Sequence, residues 1–334
     1  MSTIQAPQAF SFADLTLNVA AEADRIVETI RAQVLGQLRR KGVVLGLSGG
    51  IDSSVTAGLC VRALGPSRVL GLFMPERDSS GESLRLGQLL AQQLGIETVE
   101  ENISATLDGT GCYARRERAL RKLFSDFNPK WKWKIALPSL FGKTTYRIFS
   151  VVLQDDTGRV RRQRMPLEVY QEVVAATNFK QRVRKMMEYY HADRLNRAVA
   201  GTPNLLEYDQ GFFVKLGDGA ADLKPIAHLY KTQVYQLAEH LGLPEEIRRR
   251  GPTTDTYSLE QTQEEFFFSL PYGQMDACLY GKNHRIDSGQ VAAVIDRTAE
   301  QVQRVYDDIS AKRRAAEYLH QQPLLAGSVG RHPQ

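Results

Sequence analysis

The sequence predicts an α/β fold: a doubly wound, Rossmann-like parallel sheet that carries an inserted helix and β-hairpin module. Three observations predict it. Short apolar runs of strand length alternate with helical stretches through residues 43–99, as in a parallel sheet covered on both faces. A turn rich in glycine and serine sits directly between the first such run and the helix after it. A basic, turn-rich block over residues 109–166 breaks the rhythm, which resumes beyond it.

Each element has its own reason. Ala23, Ile26, Ile30, Val34 and Leu38 keep helical spacing and predict a helix over 13–41, with Arg39, Arg40 and Lys41 at its C-terminal end, where they suit the dipole. The run 43–47 is the first strand, and a helix follows over 53–64. A strand over 68–74, a helix over about 80–94 and a strand over 96–99 come next. Within the block, 146–153 and 160–165 flank Asp155-Asp156-Thr157-Gly158, the composition of a hairpin turn. The block is basic and poor in apolar periodicity, so it is expected to lean on the α/β body rather than build its own core. Beyond it the pattern predicts a long helix over 178–195 and a strand over 198–201. Glycines crowd a loop over 211–219, and helices follow at 231–241, about 288–297 and about 299–318. Phe266, Phe267 and Phe268 read as packing or an interface. The expected units are 1–108, the inserted module 109–166, a second core part 167–320 and a disordered tail 321–334.

Composition bounds the rest. The chain has 334 residues, 43% of them hydrophobic, and a formal charge of +5. No apolar run of about 18 residues exists, so no membrane span is expected. The first residues lack a basic stretch followed by an apolar one, so no secretory signal is expected. Cys60, Cys112 and Cys278 are far apart and form no CxxC pair, which points to a reduced, cytoplasmic setting without a zinc site. The six histidines have no metal-ligand spacing, and no hydrolase triad is visible. Basic clusters at 115–122, 130–134, 159–164 and 248–250 read as solvated faces rather than a nucleic-acid surface. A second reading makes them a field that attracts a phosphate-rich small molecule.

The strongest chemical signal is Gly46-Leu47-Ser48-Gly49-Gly50-Ile51-Asp52-Ser53. Glycines let the backbone approach a ligand, and serine hydroxyls with the amides of a helix start donate to phosphate oxygens. Neither a Walker loop nor a dinucleotide GxGxxG is present. Asp52 within an anion cradle makes electrostatic sense if Mg²⁺ bridges it to a polyphosphate.

Ser48-Gly49-Gly50-Ile51-Asp52-Ser53 resembles the pyrophosphate-binding loop of the N-type ATP pyrophosphatases. The second half of the chain narrows the likeness. Gly201-Thr202-Pro203-Asn204, Glu207 and the stretch from Gly211 through Lys215, Gly217-Asp218-Gly219 and Asp222 are similar to the NAD synthetase family. So are Leu229-Tyr230-Lys231-Thr232-Gln233, Pro252-Thr253-Thr254-Asp255 and Asn178-Phe179-Lys180-Gln181-Arg182-Val183-Arg184. The resemblance implies an ATP- and Mg²⁺-dependent ligase that adenylates deamido-NAD and amidates it with ammonia, without a covalent nucleophile. It assigns Gly46, Leu47, Ser48, Gly49, Gly50, Ile51, Asp52, Ser53, Thr202, Lys231 and Thr253 to ATP. Asp52 and Glu207 are assigned to Mg²⁺, and Arg182, Lys215, Asp222 and Lys312 to deamido-NAD. It implies a cytoplasmic homodimer.

Two departures stand out. The 109–166 block is foreign to the shorter ammonia-dependent members, and the family's His-Lys pair in the last helix reads Ala311-Lys312. The length leaves no room for a nitrilase-type glutaminase domain, so ammonia is expected free or from a separate protein. Two alternatives stay open: the same chemistry on another carboxylate, and a non-catalytic nucleotide-binding module.

Overall fold

The computed structural model describes residues 10–137, 140, 149–251, 257–259, 267–268 and 270–327. Val43–Gly46 (β1) is flanked by Val69–Phe73 (β2) on one side and Ala198–Val199 (β7) on the other, and Glu97–Glu100 (β3) lies beyond β2. All pairings are parallel, with Val43 opposite both Val69 and Ala198. Alternate residues of β1 serve opposite faces, as pleating requires. Val43 and Leu45 join a buried cluster with Ile26 and Ile30 of Val19–Arg31 (α1), Val55 and Leu59 of Ile51–Leu64 (α2), and Val234 and Leu237 of Lys231–His240 (α8). Val44 joins another with Leu70, Val199, and Val183 and Ala192 of Leu167–Leu195 (α6).

The chain runs outward from β1 to β2 and β3, with Gly81–Leu94 (α3) between them, then returns to the other side of β1 as β7. This reversal is a topological switch point, and ligand crevices form outside the strand ends there. The turn after β1 and the segment after β7 meet at that place.

Ser104–Gly109 (α4) and Cys112–Arg121 (α5) open the inserted block, and Lys132–Ala136 (β4), Ser150–Gln154 (β5) and Val160–Arg164 (β6) form an antiparallel sheet in that order. The expected hairpin is β5–β6; residues 146–148 of its expected first strand lie outside the described residues. Its turn closes because Asp155 Oδ1 accepts from the amides of Thr157 (3.0 Å) and Arg159 (2.9 Å), while Gly158 takes a φ of 83°. The block carries more apolar packing than its charge suggests. Leu120, Phe124, Trp133, Ile135, Val151 and Leu153 cluster with Val169 and Val173 of α6. That explains why α6 has 29 residues and starts at Leu167, not Asn178. Its first two turns close the block's core.

Other boundaries also differ. The expected helix over 13–41 is a 3₁₀ turn, Phe12–Leu15, then α1, then a π-helical stretch Ala32–Gln37. Asn18 fixes the start of α1 by accepting from the Ala21 amide at 3.3 Å. β7 is two residues long, extended by an isolated bridge from Ala200 to Leu223. Leu205–Gln210 (α7), Glu245–Arg249 (α9) and Tyr272–Asn283 (α10) were not anticipated. α10 is buried around much of its circumference, so it has no amphipathic stripe to betray it. It packs with Ser288–Ile295 (α11) and Ala299–His320 (α12) in a separate cluster. Among the described residues no helix is long and apolar enough to cross a membrane. Cys60, Cys112 and Cys278 are free and buried.

A buried ion network ties the block to the sheet. Lys180 of α6 is 1% exposed and reaches Glu76 at 2.8 Å and Asp78 at 2.7 Å, both in the loop after β2. Arg116 of α5 meets Asp78 at 2.5 Å, and the Tyr113 hydroxyl donates to Glu76 at 2.8 Å. Burial pushes the Asp78 carboxyl up, but Lys180 and Arg116 outweigh it and hold the group below its ordinary range. Removing one partner of such a network strands a buried charge, at about 3–5 kcal/mol. Lys180→Met is therefore expected to lower the unfolding free energy by about 3 kcal/mol or more, read from urea denaturation. A shift below about 1 kcal/mol would show that the network is not structural.

Candidate active site

At the switch point lies a cavity of about 840 Å³. One wall is the turn from Gly46 to Ser53. Gly49 has a φ of 69°, and a Cβ there would stand 2.5 Å from the Ser83 carbonyl oxygen and 3.0 Å from Leu86 Cβ. Only glycine fits that close approach to α3. Ser48 Oγ and Ser53 Oγ lie 3.2 Å apart, and Ser53 Oγ donates to the Gly50 carbonyl at 3.0 Å. Gly50 is the N-cap of α2 and gives it no side-chain cap. The first turn of a 14-residue helix thus faces the cavity with the positive end of its dipole.

Asp52, on that first turn, is the hub of a polar assembly. Its Oδ2 pairs with Lys231 Nζ, and its Oδ1 accepts from Asn204 Nδ2 at 3.0 Å. Asn204 also caps α7: its Oδ1 accepts from the Glu207 amide at 3.2 Å, and its own amide donates to Glu207 Oε2 at 3.1 Å. Asn204 thereby links the two carboxylates expected to serve Mg²⁺. Lys231 is fully buried. Burial lowers its pKa, but Asp52 and Glu207 overcome this and raise it above the ordinary lysine value. Two carboxylates beside the N-terminus of α2 are the hard oxygen donors that a cation such as Mg²⁺ would take. Among the described residues no group of three or more Asp, Glu, His or Cys side chains is placed to hold a metal by itself, and Asp52 and Glu207 are a pair.

α6 forms the long wall. Tyr170, Val174, Thr177, Asn178, Gln181, Lys185 and Glu188 all line the cavity. They keep to one helical stripe, and Tyr170 to Glu188 spans about 27 Å at 1.5 Å per residue. The stripe grades from aromatic through amide to charged. At the charged end Lys185 pairs with Glu188 at 2.6 Å, and Glu188 packs against Gly46. Burial pushes the Glu188 carboxyl up, against the pull of Lys185. Asp218, facing the same end, is pushed up by burial as well. At the aromatic end Phe149 of the block stacks on Tyr170 with centroids 4.1 Å apart and planes 15° from parallel. Leu137, Tyr257 and Phe267 line the cavity too.

The expected residues divide. Gly46 to Ser53, Thr202, Glu207, Arg182 and Lys215 line the cavity, and Lys231 reaches its rim through Asp52. Arg182 Nε donates to the Lys215 carbonyl at 3.3 Å. Lys215 Nζ is held by the carbonyls of Tyr318 (2.7 Å) and Gln321 (3.0 Å), at the end of α12. Two expected substrate ligands are not among the lining residues. Asp222 accepts from the Val199 amide at 2.7 Å and the Tyr189 hydroxyl at 3.3 Å, so it anchors β7. Lys312 pairs with Asp308 at 2.9 Å, donates to the Phe267 carbonyl at 2.7 Å and lies over the Phe267 ring. Thr253 lies outside the described residues. Sequence reasoning missed Asn204, Lys185, Glu188, Phe149 and Tyr170. For Asn204 a signal existed: Asn followed three residues later by Glu is a capping-box pattern.

Comparison with known proteins fits this geometry. The NAD synthase family profile matches residues 22–135 and 144–323. The NH(3)-dependent NAD(+) synthetase of Mesorhizobium japonicum is 60% identical over 95% of this chain and 99% of its own. That of Rhizobium meliloti is 59% identical over 96% of each. Such spans take in most of the 109–166 block, which these relatives therefore share. In fold, the chain is similar to NMN synthetase from Francisella tularensis (TM-score 0.65, 22% identity, 94% of this chain and 100% of that one). It is also similar to the NH3-dependent NAD synthetase from Campylobacter jejuni (TM-score 0.60, 21% identity, 93% and 100%). With the family profile matched over most of its length, and with a glycine- and serine-rich turn, two linked carboxylates and a buried lysine at the switch point of its sheet, this chain belongs to the NAD synthase family.

Proposed function

We propose that the protein amidates deamido-NAD with ammonia, using ATP and Mg²⁺, and releases NAD, AMP and diphosphate. The observation that carries this reading is the Asp52–Asn204–Glu207–Lys231 assembly beside the Gly46 to Ser53 cradle. The cradle holds the β- and γ-phosphates on serine hydroxyls and the α2 amides. Asp52 and Glu207 are the residues that would hold Mg²⁺, which when bound would supply charge neutralisation on the phosphates. Lys231, kept protonated by its two carboxylates, stays paired with Asp52 and meets the phosphate charge that grows as diphosphate leaves.

The nicotinate carboxylate attacks the α-phosphorus, and the bond to the bridging oxygen breaks. Ammonia then attacks the acyl carbon, AMP leaves with the former carboxylate oxygen, and a proton is lost to water. Catalysis is positioning and charge stabilisation. Ammonia arrives free or from a separate protein. Arg182 and Lys215, on the cavity wall, are the cations we assign to the dinucleotide. The block contributes Leu137 and Phe149 to the same cavity, so we assign it a part in holding the acceptor. We further propose a homodimer through α6, where Met186 and Tyr190 lie one turn apart and are 54% and 58% exposed.

Turnover with deamido-NAD, ATP, Mg²⁺ and ammonium, followed by AMP and NAD together, tests the reading. Asp52→Asn and Glu207→Gln should each lower AMP release by about a hundredfold or more while the fold persists. Near-normal rates in either at ordinary Mg²⁺ would refute the assignment. Because the block's cluster closes on α6, excising the block would expose Val169 and Val173, so a point change is the better probe. Phe149→Ala should raise the KM for deamido-NAD by about tenfold and leave that for ATP within about twofold. Equal rises in both would place the block's contribution elsewhere. Light scattering should give a mass twice 37.5 kDa, and Met186→Asp should halve it. An active wild-type monomer would dismiss the dimer.

A further inference from the structure

Asp276 lies in the middle of α10 and is completely buried, beside Met275, Cys278 and Tyr272. A carboxylate in such a place needs partners. It has them in the backbone of another helix. Its Oδ1 accepts from the Lys231 amide at 3.2 Å and its Oδ2 from the Thr232 amide at 2.7 Å. These are the first two residues of α8. The N-cap residue, Tyr230, offers no side-chain cap, and its own amide donates to Gln233 Oε1 at 3.0 Å. The start of α8 is therefore capped from outside, by a negative charge on a different helix.

The residue gripped by its backbone is the one whose ammonium pairs with Asp52. A lysine side chain has four rotatable carbons, and only a fixed backbone makes its reach reproducible. α10 belongs to the α10–α12 cluster, not to the sheet's own core. Asp276 thus connects a separately packed part of the molecule to the phosphate cradle. Burial pushes its carboxyl up to about 6, while the amides of Thr232 and Lys231 pull it back.

We propose that Asp276 is a positioning residue for Lys231: it sets the depth and rotation of the first turn of α8, so that the ammonium meets both Asp52 and the phosphates of ATP. The inference rests on the reading that Lys231 serves those phosphates.

Asp276→Asn tests it, because the amide group is isosteric but confronts one backbone N–H with another donor. Two ligands are titrated separately by calorimetry in the presence of Mg²⁺: α,β-methylene-ATP and deamido-NAD. The variant should bind the ATP analogue about tenfold more weakly, lose about tenfold or more in kcat, and bind deamido-NAD within about twofold of wild type. In a Lys231→Met background, Asp276→Asn should add nothing further to the analogue's Kd. Equal weakening of both ligands, an unchanged Kd for the analogue, or additivity with Lys231→Met would overturn the proposal. Should the Asn variant be purified unfolded, Asp276→Glu keeps the charge and both acceptors and displaces them by one methylene. It should show the same selective loss, and a Glu variant that loses both ligands alike, or neither, overturns the proposal equally. Wild-type protein that binds neither ligand would defeat the functional reading instead.

Discussion

The pairing of Lys231 with Asp52 is the constraint on which the site depends. A fully buried ammonium is costly unless opposite charge and hydrogen bonds meet it. Meeting it forces three elements together: α2, which carries Asp52; α7, whose first turn carries Glu207 and whose cap is Asn204; and α8, which begins at Lys231 itself. All three start just beyond the C-terminal ends of β1 and β7, or pack against those that do. The parallel sheet is thus what lets helix N-termini, rather than side chains alone, supply much of the positive potential. The carboxylates then balance that potential and make the place fit for a cation and a polyphosphate together.

α6 is the second organising element. Its stripe meets an aromatic environment in the first turns, an amide one in the middle and a charged one near Gly46. Its other faces are equally committed, since Val169 and Val173 close the block, Val183 and Ala192 back the sheet, and Lys180 anchors the loop after β2. One helix is therefore shared by the block, the sheet and the cavity. A change in the block's packing would be felt along the wall of the site without any contact with a ligand.

Much of this was legible in the sequence. The strand, turn and helix around Ser48 to Ser53 could be read because an apolar run of strand length and glycine–serine turn chemistry agree there. The hairpin around Asp155 was legible for the same reason. α10 and the first turns of α6 were not, because their burial comes from partners far along the chain. Val169 and Val173 gain meaning only when Trp133 and Val151 fold over them. Asn204 stood inside a recognised motif, but its double role needs the third dimension, since Asp52 lies 152 residues away in the chain. Asp276 gave no signal at all, because an isolated acid between apolar neighbours looks like an exposed one until its helix is seen to be buried.

The residues expected to hold the dinucleotide show how a shared motif can conceal a division of labour. Asp222 and Lys312 spend their polar atoms on backbone and side-chain partners. Asp222 instead ties the strand next to β1 to α6 through Tyr189, and Lys312 holds α12 against Phe267. Arg182 and Lys215 differ in lining the cavity themselves, although Arg182 Nε donates to the Lys215 carbonyl and Lys215 Nζ to the carbonyls of Tyr318 and Gln321. In our assignment they face the charge of the acceptor, while the uncharged part of its surface is left to the Phe149–Tyr170 end. Two cations at one place and stacked rings at another suit a long, jointed substrate, because each end is recognised by the force its own chemistry can feel.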